Sequence, residues 1–212
     1  MTSGAGRVAG IRPAGDRAVL IELDDLDSVR RLHEELSRAH ITGVADIVPG
    51  ARTLLVIADR PHGTALAAAV RLARGPAAPS GGTAPPATVR LPIRYDGADL
   101  ADVARRCGIT VAEVIERHSR PRYTAAFLGL SPGFAYLVGL DPVLRLPRRD
   151  TPRTSVPAGA VAMASEFTGV YPRSSPGGWH LLGTVEERLW DLDRDPPALI
   201  TAGVAVRFEP IA

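Results

Sequence analysis

Apolar and polar positions recur along the chain with periods that predict its elements before any composition is considered. Residues 7–13 (RVAGIRP) and 17–23 (RAVLIEL) are extended candidates separated by Ala14-Gly15-Asp16 as a turn. Between residues 27 and 40 Val29, Leu32, Leu36 and Ala39 recur at helical spacing, with Asp27 or Ser28 placed to cap the first turn. Residues 41–50 and 52–59 read as strands around a Pro49-Gly50 turn. Pro61 then opens a second helix whose Leu66, Ala69, Val70 and Ala73 form one apolar face, ended by Gly75-Pro76. Strand, strand, helix, strand, strand, helix fits a sheet covered on one face by two helices, an α+β layer of the ferredoxin-like kind.

Residues 76–87 (PAAPSGGTAPPA) carry neither charge nor periodicity and read as a linker. Two domains are therefore expected, residues 1–84 and residues 85–212. The second opens with a strand (TVRLPIRY) and two short helices, the latter begun by a Thr110 and Glu113 capping box. From Tyr123 onward short apolar runs alternate with Gly and Pro turns, ending in two strands about Ala202-Gly203. That rhythm predicts a mainly-β barrel or sandwich with a helical insertion.

Composition narrows the chemistry. All 25 basic residues among the 212 are arginine. With no lysine, Schiff-base catalysis and a lysine-bearing phosphate loop are both excluded. Charge is nearly balanced, ten arginines against nine acids up to residue 87 and fifteen against fourteen after it, so neither part has a nucleic-acid footprint. No apolar run approaches the roughly 18 residues of a membrane span, and the N-terminus lacks a hydrophobic leader; the expectation is a cytoplasmic protein that meets no membrane. The single cysteine, Cys107, lies in a predicted helix beside Arg105 and Arg106 and reads as structural. His33, His40, His62, His118 and His180 show no metal-ligand spacing.

The densest stretch is residues 127–184. Arg145, Arg148, Arg149 and Arg153 fall in a proline-braced loop, RLPRRDTPRT, suited to hold a carboxylate or phosphate; the alternative is a solvated turn with local ion pairs. Ser131-Pro132-Gly133-Phe134 and Ser174-Ser175-Pro176-Gly177-Gly178-Trp179 bring glycines that let backbone approach a ligand, and Phe134, Tyr136 and Trp179 can wall a pocket. Their other reading is barrel corners with core aromatics. His118 follows the capped helix and is either a helix-end histidine or part of a loop-lined pocket.

The run GLSPGFAYLVGLDPVLRLPRRDTPRTSVPAGAVAMASEFTGVYPRSSPGGWHLLGT closely resembles the allophanate hydrolase subunit 1 family. Its members include the B component of 5-oxoprolinase and a Kip-type inhibitor of a sensor histidine kinase. Weaker similarity extends over nearly the whole chain. The resemblance implies a ferredoxin-like N-terminal domain and a cyclophilin-like β-barrel. It also implies one component of an ATP-dependent 5-oxoprolinase, an amide-bond hydrolase opening 5-oxoproline to glutamate and inactive alone. The implied partners are the allophanate hydrolase subunit 2 family protein (the C component of 5-oxoprolinase) and a LamB/YcsF-type A component, with ATP used by the complex and not bound by this chain alone. Its alternatives are the kinase inhibitor and the carboxyltransferase part of a biotin-dependent urea carboxylase.

Positions matching the family motif are His118, Pro132, Gly133, Phe134, Tyr136, Arg148, Thr151, Arg153, Gly169, Tyr171, Ser175, Pro176, Gly177, Gly178 and Trp179. Of these, His118, Arg148 and Arg153 are the expected catalytic residues. Pro132, Gly133, Phe134, Tyr136, Thr151, Tyr171, Ser175, Gly177, Gly178 and Trp179 are the expected contacts to a small amide or carboxylate substrate. Phe167 departs from the family, which commonly has Gln there; an inward-pointing phenyl would remove a polar contact.

Overall fold

Alternation along the first strands builds a sheet with one buried face. The computed structural model describes residues 8–61, 63–75 and 88–211, and the chain divides into two compact units, residues 1–84 and 85–212. The expected linker at 76–87 and His62 lie outside the described residues.

In the first unit β1 (Val8–Pro13), β2 (Ala18–Leu23), β3 (Val44–Pro49) and β4 (Thr53–Ala58) form an antiparallel sheet in the order β1-β2-β4-β3. Leu54, Val56 and Ala58 of β4 are buried at alternate positions, as a half-buried strand requires. Helix α1 (Leu26–Ala39) packs Val29, Leu32 and Leu36 into the same core as Ile21, Leu23, Leu54 and Val56. Its cap is Asp25, whose carboxylate accepts from the Ser28 N–H at 2.7 Å, and not the expected Asp27 or Ser28. Helix α2 (Thr64–Arg74) begins three residues later than Pro61 suggests, capped by Gly63 without a side-chain bond. Its buried residues, Ala65, Ala69 and Ala73, are small.

The second unit is mostly β. Strands β5 (Thr88–Ile93), β6 (Tyr123–Leu128), β7 (Ala135–Val138), β9 (Ala160–Ala164), β10 (Phe167–Val170), β12 (His180–Thr184) and β13 (Ala205–Pro210) form one sheet in the order β12-β9-β10-β7-β6-β13-β5. Its outer strands are joined by a bridge: the Arg94 N–H donates to the Thr184 carbonyl at 2.9 Å and the Thr184 N–H returns to Arg94 at 2.8 Å. The sheet thereby becomes a nearly closed barrel, which leaves little unpaired edge. A separate ribbon pairs β8 (Arg153–Val156) with β11 (Ser175–Gly177). Only one of the two expected final strands forms. Residues before β13 turn instead, with Gly203 at φ 85° donating to the Ala125 carbonyl.

Helices α3 (Leu100–Cys107) and α4 (Val111–Ser119) contribute Leu100, Val103, Ala104 and Val114 to the main core with β5, β6, β7, β12 and β13. The Thr110 and Glu113 capping box is present. All five residues of β9 are buried because both of its faces are covered. Val161 and Met163 face the main core, while Ala160, Ala162 and Ala164 face a second cluster with Phe134, Val156, Tyr171, Trp179 and Leu181.

Candidate functional site

That second cluster gathers aromatic residues on the face of β9 turned away from the main core. Aromatic side chains pack beside the alanines of β9 and on each other: Phe127 on Tyr136 at 4.4 Å between ring centroids, with Tyr136 edge-on to Trp179 at 5.6 Å. Phe134 meets Tyr171 at 5.4 Å and Trp179 at 5.5 Å, both edge-to-face. Phe167 does point into this group, edge-on to Phe127 and Tyr136.

The rings surround a cavity of about 100 Å³ lined by Leu130, Phe134, Tyr136, Arg148, Tyr171, Pro176, Gly177, Gly178 and Trp179. Glycine at 177 is a packing requirement, since a Cβ there would collide with the Tyr171 hydroxyl. Burial, with a smaller contribution from Tyr136, holds the Tyr171 phenol above its ordinary value against the opposing pull of Arg148 and Arg153. Arg148 is exposed at this cavity, and among the described residues its guanidinium makes no hydrogen bond or ion pair. A wider groove of about 440 Å³ lies in the first unit between the end of α1 and the edge strand β3, lined by His33, His40 and Asp46 among others. It is open and has no wall of rings and no cation, so the smaller cavity is the better candidate.

The other two expected catalytic residues do not line the cavity. Arg153 turns to Asp99, at the start of α3, with a two-pronged contact: Nη1 donates to Oδ2 at 2.9 Å and Nη2 to Oδ1 at 2.8 Å. Arg149 Nη1 donates to the same Oδ1 at 2.7 Å, and the Leu181 N–H to Oδ2 at 2.8 Å. Burial pushes the Asp99 carboxyl up, but the Arg153 hydrogen bond, the Leu181 N–H and the two guanidinium charges outweigh it and hold it below its ordinary value. Arg153 is thus half of a part-buried ion pair and not a free anion contact. Asp99 escapes a reading of the sequence because an acid before a helix reads as a cap, and nothing local marks partners 50 and 54 residues away.

His118 is fully buried. Thr168 Oγ1 donates to the Ala162 carbonyl at 2.9 Å, so in its contact with His118 Nε2, also 2.9 Å, the ring must be the donor. Nδ1 is then the acceptor for the Tyr95 hydroxyl at 2.7 Å. Both nitrogens are satisfied in a neutral ring, and burial pushes its pKa down to about 3. This histidine locks α4 to β10 and holds no proton for a ligand.

Of the expected contact residues, Phe134, Tyr136, Tyr171, Gly177, Gly178 and Trp179 line the cavity. Gly133, at φ 85°, lies too close to the Leu189 carbonyl and the Trp190 side chain for a Cβ, so it shapes the loop before Phe134. Pro132 and Thr151 are exposed away from the cavity lining, and Ser175 is in β11 with its hydroxyl buried and unpartnered among the described residues. Also among the described residues, no group of three His, Cys, Asp or Glu side chains gathers to hold a metal ion, and no helix is long and apolar enough to cross a membrane.

Residues 9–200 match the carboxyltransferase domain, subdomain C and D. The chain belongs to that family. Among family relatives, the B component of 5-oxoprolinase from Escherichia coli O157:H7 is 39% identical over 203 residues, covering 92% of this chain and 93% of the relative. The crystal structure of TTHA0988 superposes with a TM-score of 0.77 at 37% identity over 92% of this chain; the chain spans only 40% of that longer one. The urea carboxylase of Kluyveromyces lactis shares the fold, with a TM-score of 0.70 at 20% identity over 95% of this chain and 22% of the enzyme.

Proposed function

We propose that this chain is the B component of an ATP-dependent 5-oxoprolinase, a heteromeric amide-bond hydrolase that opens 5-oxoproline to glutamate. The observation that carries the reading is similarity to a 5-oxoprolinase B component over 92% of the chain, combined with a small aromatic cavity bearing one unpaired arginine. A five-membered lactam with one carboxylate matches those walls: flat faces for the rings, one anion for Arg148. At about 100 Å³ the cavity is far below the roughly 300–1,000 Å³ of pockets that enclose drug-sized ligands, so it takes a small molecule and not a nucleotide. ATP is accordingly used by the complex and held elsewhere.

In this reading the chain binds and orients the ring, because the cavity lining offers Arg148 and two tyrosines but no carboxylate or imidazole. Groups that move protons and the phosphoryl group come from a C component of the allophanate hydrolase subunit 2 family and a LamB/YcsF-type A component, and the chain is inactive alone. The complex works in the cytoplasm. The order β1-β2-β4-β3 with two helices supports a ferredoxin-like first unit, and the nearly closed sheet supports a cyclophilin-like second unit.

Reconstitution tests the proposal. This protein mixed with candidate A and C components should hydrolyse ATP only when 5-oxoproline is present, and omission of any one of the three should abolish the coupling. Turnover by the isolated chain, or full coupled activity without it, would refute the assignment.

A further inference from the structure

We propose that Asp99 is a positioning residue: by fixing the 147–153 loop against the start of β12 it aims Arg148 at the carboxylate of a small ring substrate. The inference rests on the cavity being the substrate site.

Asp99 never reaches the cavity, yet it ties two of its walls together. One wall is the loop that carries Arg148, held by Asp99 on its C-terminal side through Arg149 and, four residues further on, Arg153. The other wall is the Gly177, Gly178 and Trp179 lead into β12, held through the Leu181 N–H. Two further bonds run between the same segments: the Arg149 N–H to the Gly178 carbonyl at 2.8 Å, and His180 Nε2 to the Pro147 carbonyl at 2.9 Å. Pro147 and Pro152 stiffen the loop between these ties. The backbone of Arg148 is therefore pinned on both sides while its guanidinium stays unpaired, an arrangement that places a fork without consuming it.

As a plain charge, Asp99 works against anion binding, since it offsets one of three neighbouring guanidinium charges. The substitution Asp99→Asn keeps the side chain's size and an oxygen acceptor for the Leu181 N–H, but raises the local charge by one. A site acting through charge alone then binds a carboxylate more tightly. A site acting through placement binds it more weakly. The two accounts predict opposite signs.

The test uses the full chain carrying Trp190→Phe, which leaves Trp179 of the cavity as the only tryptophan of the two in the sequence. Its fluorescence is titrated with 5-oxoproline and with 2-pyrrolidinone, the same ring without the carboxylate. Loss of a charge-assisted hydrogen bond predicts about 10- to 100-fold weaker 5-oxoproline binding in Arg148→Ala, and Asp99→Asn should lose about tenfold. Affinity for 2-pyrrolidinone should stay within about twofold in each variant, because a ring without a carboxylate does not use the fork. Equal or tighter 5-oxoproline binding by folded Asp99→Asn overturns the proposal, and so does a parallel loss for both ligands, which marks a merely structural role. Should Asp99→Asn fail to fold, Arg149→Gln decides the matter, since it removes one tie and leaves Asp99 bonded to Arg153 and Leu181; unchanged selectivity in it overturns the proposal. A parent chain that shows no saturable response to 5-oxoproline removes the substrate-site reading and the positioning role together, whereas a responsive parent with an indifferent Asp99→Asn removes only the latter.

Discussion

Arg148 and Arg153 leave the same proline-braced loop for opposite environments. Arg153 turns inward to a carboxylate that is 3% exposed and already bonded to Arg149 and a β12 amide. Arg148 meets solvent at a cavity walled by Phe134, Tyr136, Tyr171 and Trp179. The same division separates His118, neutral with both ring nitrogens used inside the core, from the aromatics of the opposite sheet face. A family motif thus mixes residues bonded inside the fold with residues that face a cavity, and partners and burial tell them apart.

The division is broken most severely at His118. Replacing it with alanine removes a fully buried ring and leaves the Tyr95 hydroxyl and Thr168 Oγ1 each short of a partner. Cavity creation on this scale costs about 3–5 kcal/mol, so His118→Ala should lower the melting temperature by roughly 10 °C or more. An unchanged melting curve would return His118 to the ligand-facing groups. The ring also predicts a pH dependence. Its folded pKa is about 3 against an ordinary 6.5, so the unfolded chain binds the extra proton between those values and stability falls as pH drops from about 6.5 toward 3. Asp99 acts lower. Its carboxyl is held below the ordinary 3.8, so its contribution is present above that value and is lost as pH falls through the folded one. Thermal melts of the wild type and His118→Gln between pH 7 and 4.5 should show a steeper slope in the first than in the second, where His33, its pKa also lowered by burial, leaves a residual slope of the same sign.

A smaller effect is expected where the two regions meet. In Gly177→Ala the added methyl collides with the Tyr171 hydroxyl, and overpacking of this kind costs about 1–3 kcal/mol. Tyr171 has to move out of the cavity wall, so ring-ligand affinity should fall with stability. Wild-type binding with a lowered melting temperature would separate Tyr171 from the site.

Much of this is legible in the sequence where the signal is local. The α1 face of Val29, Leu32 and Leu36 and the Thr110 capping box depend on residues within a few positions. The aromatic wall and Gly177-Gly178 are legible by residue type, because such residues stand out within the one stretch 127–184 even though Phe134 and Trp179 lie far apart along it. What escapes is long-range. The β5 and β13 pairing, the Arg94 to Thr184 closure and the Asp99 ion pairs join segments tens of residues apart, and no local pattern encodes them. Direction escapes as well. A loop with four arginines announces an anion site but not which guanidinium is already satisfied, so the motif points to Arg153 as a ligand contact and passes over Arg149.

The central claim is that Arg148 serves the ligand and Arg153 the fold, and a paired measurement on Arg148→Ala and Arg153→Ala tests it directly. Each variant is melted and titrated with 5-oxoproline. Arg148→Ala should keep its stability within about 0.5 kcal/mol, as surface substitutions do, while binding weakens about 10- to 100-fold. Arg153→Ala should lose about 1–3 kcal/mol of stability, less than a fully broken buried pair because Arg149 still neutralises Asp99. Two variants equal in melting temperature and equal in affinity would contradict the account.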